Sequence, residues 1–219
     1  MKLSTLFAPV VALSLLACQP EINTQQVQAA SEATNNTSPT LPTMEGSLKT
    51  ADIRQDKIGK DFTITRHDNK PFTLSQYKGR FVMLTFGFSN CPSICPTELY
   101  TYSEAIKQLD PEIAKKLDVV FISVDPERDT PEIIGRFVHQ FHPDFIGATD
   151  TTEKHELLET IKKDWHVIAY KSEVKSDKIY NMDHTAGSYI IDPQGETAYF
   201  VPFGISTTQL VEDLKDILS

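Results

Sequence analysis

Cysteine is scarce in this chain: three in 219 residues, at positions 18, 91 and 95. That is too few for a disulfide scaffold. Long apolar runs are missing as well. The longest stretch near the N-terminus, Leu6–Leu16, falls short of the ~20 residues that cross a bilayer. No Lys/Arg-dense stripe occurs and the formal charge is −9, which excludes nucleic-acid binding by phosphate neutralisation. No internal repeat is visible, so solenoid architectures drop out. Proline is absent between Pro143 and Pro193, a gap that matters below. What remains is an ordinary globular composition, 40% hydrophobic and 23% charged, long enough for one domain or two.

The first 17 residues carry one charge, Lys2, then an apolar middle and a small residue at the end, the pattern of an export signal. The ending Leu15-Leu16-Ala17-Cys18 resembles a bacterial lipobox, with cleavage before Cys18 and lipid on its thiol. Loss of residues 1–17 takes the formal charge from −9 to −10. Lipidation of Cys18 leaves Cys91 and Cys95 as an even pair in an oxidising compartment. Residues 18–50, rich in Gln, Asn, Thr, Ser, Ala and Pro, read as a lipid-anchored flexible tether. Its coil dimension is on the order of 30 Å and its stretched limit is roughly 100 Å. Residues 51–219 form the folded domain, with the first well-marked elements from about Ile58.

Within that domain, Phe62–Arg66 and Phe72–Leu74 are short strand candidates around the turn signal Asp68-Asn69. Phe81–Phe86 is a buried strand. Pro96–Leu109 follows with a helical spacing of Leu99, Tyr100, Ala105, Ile106 and Leu109. Val119–Val124 closes a strand–helix–strand unit, which implies parallel strands. Thr130-Pro131 opens a helix that buries Ile133, Ile134, Phe137 and Val138. Another helix is predicted at Glu153–Lys163, strands at Val167–Tyr170, Ser188–Ile191 and Ala198–Val201, and a last helix at Thr207–Leu218. Asp192-Pro193-Gln194-Gly195 turns a hairpin between the last two strands. This order predicts an α/β, thioredoxin-like fold: a central mixed sheet flanked by helices, with an N-terminal strand extension.

The chemistry concentrates at Cys91 and Cys95. Pro96 suits the first position of a helix, which makes Cys95 its cap and predicts thiolate character from the free N–H groups and the dipole. Thiolates there either do redox chemistry or hold a metal. A thioredoxin-type redox pair is Cys-x-x-Cys; here three residues intervene, which leaves room for an ion. Two thiolates suit Cu(I), and an added imidazole suits Cu(II). Of the six histidines, His67 and His155 lie on polar segments and are expected to be solvated. His139 and His142 form an i, i+3 pair with no further ligand pattern, and His166 opens a strand. His184 lies in the polar loop Asn181–Thr185 just before the strand Ser188–Ile191. In a thioredoxin-like sheet that segment faces the cysteine loop, and thioredoxins place a cis-proline there. The missing proline and the histidine argue for a third ligand. Met182 is a soft donor nearby, more economically explained by packing.

The blocks Gly87-Phe88-Ser89-Asn90-Cys91-Pro92-Ser93-Ile94-Cys95-Pro96-Thr97-Glu98-Leu99, Ser123-Val124-Asp125-Pro126-Glu127-Arg128-Asp129-Thr130-Pro131 and Asp183-His184-Thr185-Ala186 occur in that order. In order and in content they resemble the signature of the Sco/SenC family, over the whole domain. Ser93 stands where an acid is common and Thr185 where Ser is common. The resemblance implies one copper, Cu(I) or Cu(II), per domain, bound by Cys91, Cys95 and His184. It also implies a role in building the binuclear copper site of cytochrome c oxidase subunit II, or of another cuproprotein, alongside other copper chaperones. A lipid anchor at Cys18 places the domain in the periplasm or otherwise outside the cytoplasmic membrane.

Two functions compete. A copper metallochaperone, a binding protein and not an enzyme, passes its ion on by ligand exchange. A membrane-tethered thiol–disulfide oxidoreductase uses Cys91 and Cys95 as a redox pair on exported proteins. A peroxiredoxin-like reading lacks its Thr-x-x-Cys frame at Ser89-Asn90-Cys91. The Asp125–Thr130 loop is expected at the cysteine end of the sheet, with Arg128 paired to Asp125 or Asp129 and Thr130 capping, leaving room for a partner-docking surface.

Overall fold

The computed structural model of the chain describes residues 48–219. The export signal, Cys18 and the greater part of the tether lie outside them. The apolar run at residue 81 becomes strand β4 (Phe81–Gly87), and all but its first residue are buried. Burial of consecutive residues means that both faces of the strand are covered, as in the middle of an α/β sheet. Its parallel neighbour is β5 (Leu117–Ser123), in register from Phe81↔Leu117 to Gly87↔Ser123. The crossover between them contains α1 (Ile94–Lys107) and the short α2 (Pro111–Ala114).

Before β4 come β1 (Ala51–Asp52), β2 (Thr63–Arg66) and β3 (Pro71–Thr73). After β5 come α3 (Pro131–Val138), β6 (Ile146–Thr149), α4 (Glu156–Asp164), β7 (Ala169–Ser176), β8 (Ile179–His184), β9 (Ser188–Ile191), β10 (Thr197–Val201) and α5 (Thr207–Leu218). Eight strands form one mixed sheet in the order β1-β10-β9-β4-β5-β6-β2-β3, the thioredoxin-like arrangement with added strands at both edges. α1 packs on α5, and α3 on β6.

Several local readings change. β1 pairs with β10, so the first strand lies seven residues before Ile58. β6 was not foreseen. It is four residues long and includes Gly147, against which the Ile134 backbone packs closely. The expected polar loop before β9 is strand β8, paired with β7 in a separate two-stranded sheet. The buried stripe of α1 runs through Cys95, Glu98, Leu99, Tyr102 and Ser103, a 3-and-4 spacing, whereas Tyr100 is 60% exposed. The α4 helix begins at Glu156 after His155, whose φ of 53° is left-handed and ends the preceding turn. The Asp192–Gly195 turn and the β9–β10 hairpin form as expected.

Three connections therefore leave the sheet at one end. The loop after β4 carries Cys91, and the loop after β5 carries Asp125–Thr130. Because β9 runs antiparallel to β4, with Thr85 opposite Ser188, the β8–β9 connection reaches the same end. Sheet order thus brings the connection that follows His184 to the cysteine end.

Candidate metal centre

A turn with Cys91 N–H donating to Phe88 O (3.2 Å) delivers Cys91 to the start of α1. The helix begins at Ile94, with Ser93 at the cap position and no bond from its side chain. The expectation that Cys95 is the cap is corrected: Cys95 is the second helical residue. Cys91 Sγ takes the capping role and accepts the Cys95 N–H at 3.4 Å. A helix N-terminus leaves its first N–H groups unpaired, and an anionic sulfur there satisfies one while meeting the positive end of the dipole.

The thiolate assignment moves with it. The Cys95 thiol donates to Cys91 Sγ; together with His184 and the backbone N–H groups of Cys95 and Ser93, this holds Cys91 well below the usual thiol range against the cost of burial. The same pairing, burial and the nearby Cys91 charge push Cys95 far up. Cys91 is therefore the anionic thiol and Cys95, with no exposed surface, its proton-bearing partner.

His184 Nε2 stands 3.5 Å from Cys95 Sγ, and its Nδ1 lies 2.9 Å from Thr185 O. A carbonyl can only accept, so Nδ1 carries a proton and Nε2 is the nitrogen that faces the sulfurs. Burial lowers the pKa of this imidazole, but the Cys91 thiolate and the Thr185 carbonyl outweigh it and the net shift is upward. Phe88 meets the His184 ring edge-on, centroids 5.8 Å apart. The donor atoms of Cys91, Cys95 and His184 all lie within 4.8 Å of one another. Two thiol sulfurs and one imidazole at that spacing fit a single soft or borderline ion, and the set leaves coordination positions open.

Close approach at the site depends on two glycines. A Cβ on Gly87 would lie 2.6 Å from Cys95 Sγ and 2.7 Å from the Phe121 ring. Gly187 has φ +105°, and its N–H donates at 3.0 Å to Glu98 Oε1. Glu98 thus ties α1 to the connection that follows His184. Burial pushes Glu98 up to about 7, although the Gly187 N–H, the His184 charge and the Tyr102 hydroxyl hold it down in part. Its other oxygen, Oε2, is buried with no hydrogen-bond partner.

The Asp125–Thr130 loop lies where it was expected. Arg128 pairs with Asp125 (Nε to Oδ2, 2.5 Å), and Thr130 Oγ1 accepts the Ile133 N–H. Asp129 does not pair with Arg128. It accepts the Ser89 N–H (3.0 Å), the Ser89 hydroxyl and the Ser123 hydroxyl (2.6 Å), fastening the cysteine loop from below. Burial raises Asp129, and these donors offset part of the rise.

The other histidines stay away from the cysteines. His67 is half-buried, not solvated: its ring packs edge-on against His139 (4.7 Å), with Nδ1 against the Gly147 backbone. His142 stacks on Phe145, so the His139–His142 spacing reflects packing. His155 is half-buried with Nδ1 unpartnered, and His166 sits in a turn at φ 53°, three residues before β7. Met182 is buried and lines a cleft with Asp125, Leu158 and Lys171. Sequence reasoning missed Glu98, Asp129 and Tyr180, whose hydroxyl donates to Asp125 Oδ1, as parts of the site. For Glu98 a signal existed, since it stands one helical turn after Cys95 on the same stripe.

A thioredoxin-like sheet with two cysteines at the start of its first crossover helix and a histidine closing on them defines a class: domains built around a Cys-x-x-x-Cys plus His ligand set. A sequence model of the SCO1/SenC family matches residues 50–219, and the chain belongs to that family. It is 39% identical over 140 residues to the mitochondrial protein SCO2 of Saccharomyces cerevisiae, a match that covers 64% of this chain and 46% of the yeast protein. The chain thus spans about half the length of that relative. Among solved structures it is similar to copper-bound ScoI of Arabidopsis thaliana, at 33% identity and TM-score 0.65, covering 73% of this chain and 98% of that one. Copper-bound ScoI of Bradyrhizobium japonicum gives 34% identity and TM-score 0.64, covering 73% and 99%.

Proposed function

We propose that this chain is a copper-binding metallochaperone that assists assembly of the binuclear copper site of cytochrome c oxidase. The observation that carries the reading is the convergence of Cys91, Cys95 and His184 donors within 4.8 Å. Copper is cargo here. Cys91 meets the incoming ion as a ready thiolate, because the Cys95 thiol and the helix N–H groups already stabilise its charge. Cys95 gives up its proton on binding, and His184 offers Nε2 while Thr185 O holds the ring. Open positions let a recipient thiolate attach before Cys91 or Cys95 releases, so the ion is never free in solution.

We further propose that residues 1–17 direct export and that Cys18 carries lipid. On this reading residues 18–50 are a tether that lets the domain reach a membrane-bound cuproprotein or another copper chaperone outside the cytoplasmic membrane. No helix among the described residues is long and apolar enough to cross a membrane.

A second activity is favoured by the contrast between the two thiols, one anionic and slightly exposed, the other buried and protonated. Cys91 thiolate can attack a disulfide in the recipient's empty site, forming a mixed disulfide and freeing one recipient thiolate. Cys95, after losing its proton, then attacks Cys91 and frees the second, so two electrons pass from this chain to the recipient. The recipient is reduced and can then accept copper.

The test loads the reduced protein with Cu(I) and with Cu(II) and compares it with His184→Ala. One ion per chain and a thiolate-to-Cu(II) absorption band are expected. His184→Ala should cost more than the roughly 10–100-fold that loss of an outer-shell partner costs. If affinity and spectrum are unchanged, the three-ligand reading is wrong. Disulfide reduction that proceeds at the same rate in His184→Ala would then leave the oxidoreductase as the function.

A further inference from the structure

β7 and β8 form a sheet of their own, and their ladder bonds run only between each other. The placement of β8, and of His184 at its end, against the main sheet therefore rests on contacts outside any ladder. Arg128 supplies several of these. Its Nη1 donates to Tyr180 O at 2.8 Å, four residues before His184. Its guanidinium lies over the Tyr180 ring at 3.8 Å and over the Phe88 ring at 5.9 Å. Its Nε is fixed by Asp125, and Asp125 in turn accepts the Tyr180 hydroxyl at 2.7 Å. On the far side Lys171 of β7 pairs with Glu127 of the same loop, 2.7 Å apart.

The loop reaches the other ligands as well. Phe88, under the guanidinium, packs against the His184 ring and gives its carbonyl to the Cys91 turn. Asp129, next to Arg128, holds Ser89. An arginine serving only to neutralise Asp125 would not need to spend Nη1 on a backbone carbonyl of the strand that carries His184. It is also mostly buried, with 18% of its side chain exposed, and planar enough to stack on a ring while bonding at its edge.

We propose that Arg128 is a positioning residue for the metal centre, holding the β7–β8 hairpin, and through it His184, in register with Cys91 and Cys95. This rests on the copper-binding reading above and adds the device that fixes its third ligand. Arg128 touches no donor atom, so its effect must pass through His184. Cu(II), which calls for the imidazole, should depend on it more than Cu(I), which two thiolates can hold.

The experiment compares wild type, Arg128→Ala, His184→Ala and the double variant in the reduced protein, by Cu(I) and Cu(II) competition titration. Amide hydrogen exchange of residues 179–184 is followed in the metal-free state. Arg128→Ala should weaken Cu(II) about tenfold, the lower end of outer-shell effects. It should weaken Cu(I) much less and speed exchange across 179–184. In the His184→Ala background it should cost nothing further, because neighbours acting through one group are non-additive. Wild-type Cu(II) affinity in Arg128→Ala, or additive losses in the double variant, overturns the proposal. Should Arg128→Ala fail to fold, Arg128→Lys and Tyr180→Phe carry the same comparison, and wild-type Cu(II) binding in both overturns it. Should the wild type bind no copper, the functional reading falls by itself; the exchange data still decide positioning, and unchanged protection of 179–184 refutes it.

Discussion

Replacing Glu98 with Gln isolates the electrostatic cost of a carboxyl buried beside the metal centre. Glu98 is 4% exposed, and burial raises its pKa from an ordinary 4.5 to about 7. Between those values the folded protein binds a proton that the unfolded chain has released. The contribution of Glu98 to stability therefore falls as pH rises from 4.5 to about 7 and is level beyond it. At about 1.4 kcal/mol per pH unit, the window amounts to roughly 3 kcal/mol. Gln carries no such charge and can still accept the Gly187 N–H through its amide oxygen. Its amide nitrogen falls where Oε2 now has no partner, a pH-independent cost of about 1–3 kcal/mol. The slope, not the offset, is diagnostic. Urea unfolding of the reduced, metal-free protein from about pH 4 to about pH 8 should show Glu98→Gln gaining about 3 kcal/mol on the wild type across the window. Parallel pH profiles for the two proteins would refute the reasoning, since Glu98 would then titrate as an exposed acid.

Cys91, as the standing thiolate, should be alkylated by iodoacetamide before Cys95 even at about pH 5. Peptide mapping after brief labelling checks this, and label on Cys95 first would reverse the thiol assignment. Gly87→Ala puts a Cβ against Cys95 Sγ and Phe121 and should cost about 1–3 kcal/mol in denaturant unfolding, with an altered Cu(II)–thiolate band. A silent substitution there would mean that the cysteine loop has slack. Met182→Leu should change stability by less than about 1.5 kcal/mol and leave copper affinity intact, as expected of a buried packing residue. A fall in affinity would instead place the Met182 sulfur at the metal.

The positions that chemistry constrains were plain from the residues themselves. The apolar run Phe81–Phe86, the β-branched run ending at Val124 and the Thr130-Pro131 cap each carry a local signal that burial then follows. The spacing of Cys91 and Cys95 and the loss of a proline before Ser188 pointed to an ion and to His184 without any coordinates. What the sequence did not carry is anything that depends on who is next to whom. β8 reads as a polar loop because Asn181, Asp183 and His184 make up half of its six residues, and the strand it pairs with is β7, across a turn. The order of acidity within the thiol pair is also tertiary. By local rules Cys95 is the cap and the better thiolate, yet the turn at Phe88 swings Cys91 Sγ onto the Cys95 N–H and leaves Cys95 with no exposed surface. The sequence by itself pointed to Cys91, Cys95 and His184. Only the packed sheet decided which sulfur bears the charge and what holds His184 in place, because hydrogen-bond donors and desolvation arrive from segments up to ninety residues away.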